Sequence, residues 1–180
     1  MQSITFKEAL ETWIAYGFSL NLYIRDPAKI PPDVEQKIAE TIKKLDALVE
    51  SSTISTEEWL AISDYQKDSD PKLYRAVWGS FAKSIIDDMK TRDKQHLLAD
   101  PGFQSWTSDI DIALDHFSNG QSKHNLRFQT GCYVGEQAYL IGGYAQEILF
   151  PRNKCWEIVD CETIQRSGRT IILLTAKEYI

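Results

Sequence analysis

A chain of 180 residues, 43% hydrophobic and 26% charged, is long enough to bury a core and too apolar to be disordered or fibrous. Its formal net charge of −6 argues against a broad electrostatic grip on nucleic acid or an anionic membrane, since both need clustered basic residues. Cys132, Cys155 and Cys161 lack CxxC spacing, and His96, His116 and His124 lack metal-ligand spacing, so neither a disulfide framework nor a zinc site is expected.

The N-terminal stretch already carries Lys7, Glu8 and Glu11 and holds no apolar signal-peptide core. Phe6, Leu10, Trp13 and Ile14 follow at helical spacing, and Val34, Ile38, Ile42, Leu45 and Leu48 form a second amphipathic stripe, with Pro27, Pro31 and Pro32 between the two. A third helix is predicted to start at Ser55 or Thr56, where a hydroxyl precedes Glu57 and Glu58. From about residue 72 the texture changes to short apolar runs divided by Gly, Pro, Asn and Asp. Strands are predicted over 73–78, 125–134, 147–150, 155–160 and 170–176, with a short helix over 110–117. No run approaches the roughly 20 apolar residues that span a bilayer. One domain is expected over 1–180, helical through 1–68 and strand-rich over 72–180, in the cytoplasm of the cell that holds it. Helices first and strands afterwards predict an α+β fold, and the absence of GxGxxG and GxxxxGK[ST] leaves Rossmann and nucleotide-triphosphatase readings without support.

Three short segments combine reactive residues with apolar surroundings. In Leu73-Tyr74-Arg75-Ala76-Val77-Trp78, a lone arginine inside a strand is either a solvated or ion-paired residue, or a planar cation aimed at a phosphate. In Asp100-Pro101-Gly102-Phe103-Gln104-Ser105-Trp106-Thr107-Ser108, the hydroxyls belong to a turn and helix cap, from Thr107 or Ser108, or Ser105 orients a catalytic carboxylate. In Gly142-Gly143-Tyr144-Ala145-Gln146-Glu147-Ile148-Leu149-Phe150-Pro151, Glu147 is either an exposed strand residue or a carboxylate projecting into a cleft beside a flexible loop.

Taken together and in this order, Tyr74-Arg75, Phe103-Gln104-Ser105-Trp106-Thr107 with Ala113 and Phe117, and Glu147-Ile148-Leu149-Phe150-Pro151 resemble the arginine–serine–glutamate class of ADP-ribosyltransferases. That class includes cholera-toxin-like and clostridial toxins and small enzymes of tailed bacteriophages. The resemblance covers roughly residues 73–176. It implies two small packed β-sheets enclosing an NAD+ cleft behind N-terminal helices, and a mono-ADP-ribosyltransferase that needs no metal. Glu147, Ser105 and Arg75 would be catalytic, and Arg75, Tyr74, Ser105, Trp106 and Glu147 would hold NAD+. Tyr144 and Ala145 would belong to the acceptor loop, and the partner would be a protein acceptor of bacterial origin.

The sequence departs from the family pattern at two positions. Trp106 stands where the middle Thr of the serine motif is common, and Ala145 where the first acidic residue of the glutamate motif would be. On an extended segment, alternation would put Ala145 on the face of Glu147 and turn Gln146 away, leaving an arginine acceptor without a carboxylate to orient it. An NAD+ glycohydrolase and a catalytically inactive relative that binds NAD+ or a protein are the alternative readings.

Overall fold

The computed structural model describes residues 4–66, 71–91, 96–115, 125–144, 146–166 and 168–179. Helix α1 runs Phe6–Arg25 and begins in a capping box: Thr5 Oγ1 accepts from the Glu8 N–H, and the Thr5 N–H donates to Glu8 Oε2 at 2.6 Å. The helix is interrupted at Tyr16 (φ −138°, ψ 19°). Ala9, Trp13 and Leu20 form its buried face, whereas Phe6 and Ile14 of the predicted stripe are exposed. The periodicity located the helix but set its inward face partly wrong: Trp13 is buried, whereas its neighbour Ile14 points to solvent.

After a 3-10 turn at Pro27–Lys29, α2 (Glu35–Glu50) buries Ile38, Thr41, Leu45 and Val49. Helix α3 spans Thr56–Gln66 and is capped by Ser55, whose Oγ accepts from the Glu58 N–H while its own N–H donates to Glu58 Oε2.

Strand β1 (Lys72–Trp78) passes directly into helix α4 (Gly79–Thr91), which the sequence reading did not anticipate. Gly79, at φ +69°, supplies the left-handed residue that turns the strand into the helix. Strand β2 (His96–Ala99) precedes β3 (Gln104–Thr107), the segment whose ordinary reading was a turn and cap. The cap of α5 (Ile110–Asp115) is Asp109 rather than Thr107 or Ser108: Asp109 Oδ1 accepts from the Asp111 N–H at 2.7 Å, and Thr107 Oγ1 accepts from the Asp109 N–H. Phe117, expected on this helix, lies outside the described residues. Strands β4 (Asn125–Gly131), β5 (Tyr139–Gly142), β6 (Glu147–Phe150), β7 (Cys155–Arg166) and β8 (Arg169–Glu178) complete the α+β architecture. Among the described residues, no helix is long and apolar enough to cross a membrane.

The strands form one ladder in the order β2-β7-β8-β4-β1-β3-β6-β5. The two sheets implied by the resemblance are thus joined, and the joint is narrow, because β1 and β3 share the single register pair Tyr74↔Thr107. In a flat sheet, β7 and β3 would be about 19 Å apart at the usual ~4.8 Å strand spacing. Instead the rings of Trp156 on β7 and Trp106 on β3 are 5.2 Å apart, and Trp156 Nε1 donates to Gln104 Oε1 at 2.5 Å. The two lobes are therefore folded over one another.

Alternation along β3 and β6 then sorts residues between two cores. Trp106, Ile148 and Phe150 join the inner cluster with Leu73, Val77, Leu126 and Trp156. Phe103 and Leu149 face the other way, onto Ala9, Trp13, Leu20, Leu45 and Val49 of the N-terminal helices. Trp106 is 1% exposed and touches both Phe150 and Trp156, so Trp106→Ala is expected to cost about 3–5 kcal/mol of unfolding free energy, the usual range for emptying a large core site. Urea denaturation of the purified variant measures it.

Candidate active site

Register and alternation set the central pair. In the antiparallel β3–β6 ladder, Thr107 pairs with Glu147 and Ser105 with Leu149, which leaves Ser105 diagonal to Glu147 on the face toward α1. Ser105 Oγ donates to Glu147 Oε1 at 2.6 Å. From the helix opposite, Trp13 Nε1 donates to the same oxygen at 3.0 Å. Two of the three catalytic candidates are thereby in direct contact, and Trp13, which the sequence shows only as part of an apolar stripe, joins them.

Arg75 arrives from the middle of β1 and is 6% exposed. Its guanidinium meets Asp100, with Nη2 at 2.6 Å from Oδ2. Arg25, in the last turn of α1, grips the same carboxylate through Nε and Nη2 at 3.1 and 2.8 Å, and stacks over the Phe81 ring. The Gly102 N–H gives Asp100 Oδ1 a further donor at 2.9 Å. Beside this group, Asn21 Nδ2 donates to the Phe103 carbonyl, securing α1 to the approach of β3.

These elements border one cleft of about 810 Å³, large enough for a dinucleotide-sized ligand. Arg75, Ser105 and Glu147 all line it, as do Trp13, Asn21 and Arg25. Phe18 and Trp78 stack at its side, with ring planes 9° apart. The cleft therefore carries two guanidiniums and the Glu147 carboxylate, a pattern suited to an anionic ligand with a region that gains positive charge.

Two of the sequence-predicted NAD+ contacts are placed elsewhere. Trp106 cannot face the cleft while Ser105 does, because adjacent strand residues point to opposite sides; it lies in the inner core. Tyr74 sits at the β1–β3 joint and does not border the cleft. Tyr144 does border it and is 85% exposed. The loop before Glu147 is a tight turn, with Gly142 and Gly143 at φ +72° and +71° and Gln146 at φ +47°. The premise of an extended chain through Gln146 fails there, so alternation does not relate position 145 to Glu147. Ala145 itself lies outside the described residues.

Sequence reasoning missed Trp13, Asn21, Arg25 and Asp100. Trp13 left a trace as one position of the apolar stripe, and Asp100 as the opening of the Asp-Pro-Gly segment, whose ordinary reading is a turn.

Electrostatics at Asp100 follow from its surroundings. Burial pushes its carboxyl up, but the charge of Arg75, the hydrogen bond and charge of Arg25, and the Gly102 N–H outweigh it and hold the group below the usual aspartate range. Burial, with a smaller contribution from Arg25, pulls the Arg75 guanidinium below its ordinary value against the opposing pull of Asp100.

No protein-family model matches the chain, and no curated protein matches it in sequence. Solved structures do match. The C3larvin toxin, an ADP-ribosyltransferase from Paenibacillus larvae, superposes with a TM-score of 0.60 at 18% identity, over 97% of this chain and 86% of that one. The ADP-ribosylating toxin BECa of a binary enterotoxin of C. perfringens, solved with NADH, gives 0.70 at 13% identity, over 99% of this chain and 44% of that one. The ADP-ribosyltransferase Vis, solved with agmatine, gives 0.62 at 17% identity, over 96% and 74%. The chain has the ADP-ribosyltransferase fold.

A carboxylate with a depressed folded pKa adds stability that is present above its unfolded pKa, about 3.9 for aspartate, and lost as pH falls through the folded value. Asp100→Asn is therefore expected to lower stability by about 3–5 kcal/mol near neutral pH, as when a buried ion pair loses one member. The difference from wild type should narrow below roughly pH 4. Paired denaturation curves in neutral and acidic buffer measure both effects.

Proposed function

We propose that the chain is an NAD+-dependent mono-ADP-ribosyltransferase acting on a protein acceptor, as a small bacteriophage-type enzyme modifying bacterial proteins. The observation that carries this reading is convergence: Ser105 and Glu147, 42 residues apart, share a 2.6 Å hydrogen bond in a cleft also lined by Arg75. The likeness in fold to an ADP-ribosylating toxin solved with NADH and to an ADP-ribosyltransferase solved with agmatine supports the choice of co-substrate and of group transfer.

Arg25 and Arg75, held at fixed separation by Asp100, present positive charge to the pyrophosphate and fix the dinucleotide. In the reaction, the bond between nicotinamide and ribose C1′ breaks and its electron pair leaves with nicotinamide, which becomes neutral. Positive charge builds on C1′ and the ring oxygen, as in glycoside cleavage. Glu147 sets its negative charge against that ribose and accepts from the 2′-hydroxyl, while Ser105 holds the carboxylate in place. The acceptor's lone pair then forms the bond to C1′, and the acceptor gives up its proton to solvent water.

Labelled NAD+ incubated with the protein and a bacterial lysate should give discrete labelled bands. Nicotinamide release without incorporation would instead identify an NAD+ glycohydrolase, and binding without release an inactive relative. Glu147→Gln is expected to keep the fold and NAD+ binding while turnover falls about a hundredfold or more. Equal turnover would remove Glu147 from the mechanism. The family pattern has an acidic residue where Ala145 stands, so transfer to agmatine should be weak in the wild type and should rise in Ala145→Glu. Efficient transfer that the substitution leaves unchanged would assign that role to another group.

A further inference from the structure

Both hydrogen bonds to Glu147 fall on one oxygen. Ser105 Oγ and Trp13 Nε1 each donate to Oε1, and among the described residues no donor reaches Oε2. We propose, building on the transferase reading, that Trp13 is a positioning residue: with Ser105 it clamps Oε1 and so presents Oε2 to the ribose.

The surroundings of Trp13 fit a fixed donor. The side chain is 4% exposed, and its ring meets Phe103 edge-on at 5.6 Å. One turn later on the same helix face, a Cβ at Gly17 would stand 3.1 Å from Cδ2 and Cε2 of the indole. Glycine at 17 is what lets the ring lie flat along α1 with its N–H directed at β6. The helix breaks at the intervening Tyr16, so the segment that aims the indole is set apart from the following turns that carry Asn21 and Arg25. A buried indole N–H usually finds an acceptor, and tryptophan donates without accepting. Here the acceptor is the carboxylate that the reaction uses, contributed from 134 residues away. A serine hydroxyl alone could rotate about Glu147; two donors from separate elements leave the carboxylate one orientation.

The test separates positioning from packing. Trp13→Phe keeps an aromatic ring over Gly17 and against Phe103 but removes the N–H. Its kcat for nicotinamide release is expected to fall about 10-fold to 100-fold, the scale of a hydrogen bond to a charged group, with KM for NAD+ changed less than about threefold. Gly17→Ala, which displaces the ring while keeping the N–H, should shift kcat the same way. An unchanged kcat in Trp13→Phe, or a raised KM with kcat intact, would overturn the proposal.

A second readout does not depend on turnover. The indole N–H proton resonance of Trp13, assigned by its absence in Trp13→Phe, should move and exchange faster with solvent in folded Glu147→Ala. A resonance indifferent to Glu147 would overturn the proposal even in an active enzyme. A wild type that releases no nicotinamide would end the transferase reading while leaving this bond testable.

Discussion

The cleft depends on one buried carboxylate. Asp100 is fully buried and bound by guanidiniums from two different elements, Arg25 of α1 and Arg75 of β1. Burying any charge is costly, and the cost is recovered only if partners and geometry are both good. Asp100 meets the condition with two charged donors and a backbone N–H, and in doing so draws the N-terminal helix against the sheet. Two cations sharing one anion leave an excess of positive charge facing the cleft. A structural ion cluster thus also forms an anion-attracting surface.

The second constraint is the pleat of β3. A strand of four residues has to serve a core and a cleft at once, and alternation lets it do so. Gln104 and Trp106 turn inward, toward Trp156 of the folded-over lobe, while Ser105 turns outward to Glu147. The large aromatic packing on one side holds the small hydroxyl on the other in register. The same logic runs along β6, where Ile148 and Phe150 lock the strand into the inner core and Glu147 is free to face α1.

Helix α1 is the third participant, and it contributes at two separate points. Its first half supplies Trp13 to the Glu147 carboxylate, and its last turn supplies Arg25 to Asp100. At about 1.5 Å per residue a separation of 12 positions spans at most roughly 18 Å, so one helix runs along the cleft from the carboxylate to the arginine cluster. The break at Tyr16 gives each half its own rotation. Helical wall and sheet wall are thus tied at both places where the proposed chemistry needs them.

Much of this was legible in local pattern. Apolar period placed α1 and α2, a hydroxyl ahead of two glutamates placed α3, short apolar runs placed β1, β4, β6, β7 and β8, and their order implied an α+β fold. Arg75, Ser105 and Glu147 were singled out because their segments, in that order, resemble the arginine–serine–glutamate class; each residue taken alone also had an ordinary reading. Patterns that read only neighbours along the chain missed α4, which begins in the residue after a strand, and β2, β3 and β5, each only four residues long. The resemblance also offered Trp106 as an NAD+ contact, although strand alternation turns it into the core once Ser105 faces the cleft. The tertiary structure alone decided that the sheet folds over itself, that Asp100 binds two arginines, and that Trp13 donates to Glu147. The physical reason is one of range. Periodicity and propensity act over a few residues, whereas the polar partners of a buried group are chosen by whichever donors the folded chain brings within 3 Å, here from as far as 134 positions away.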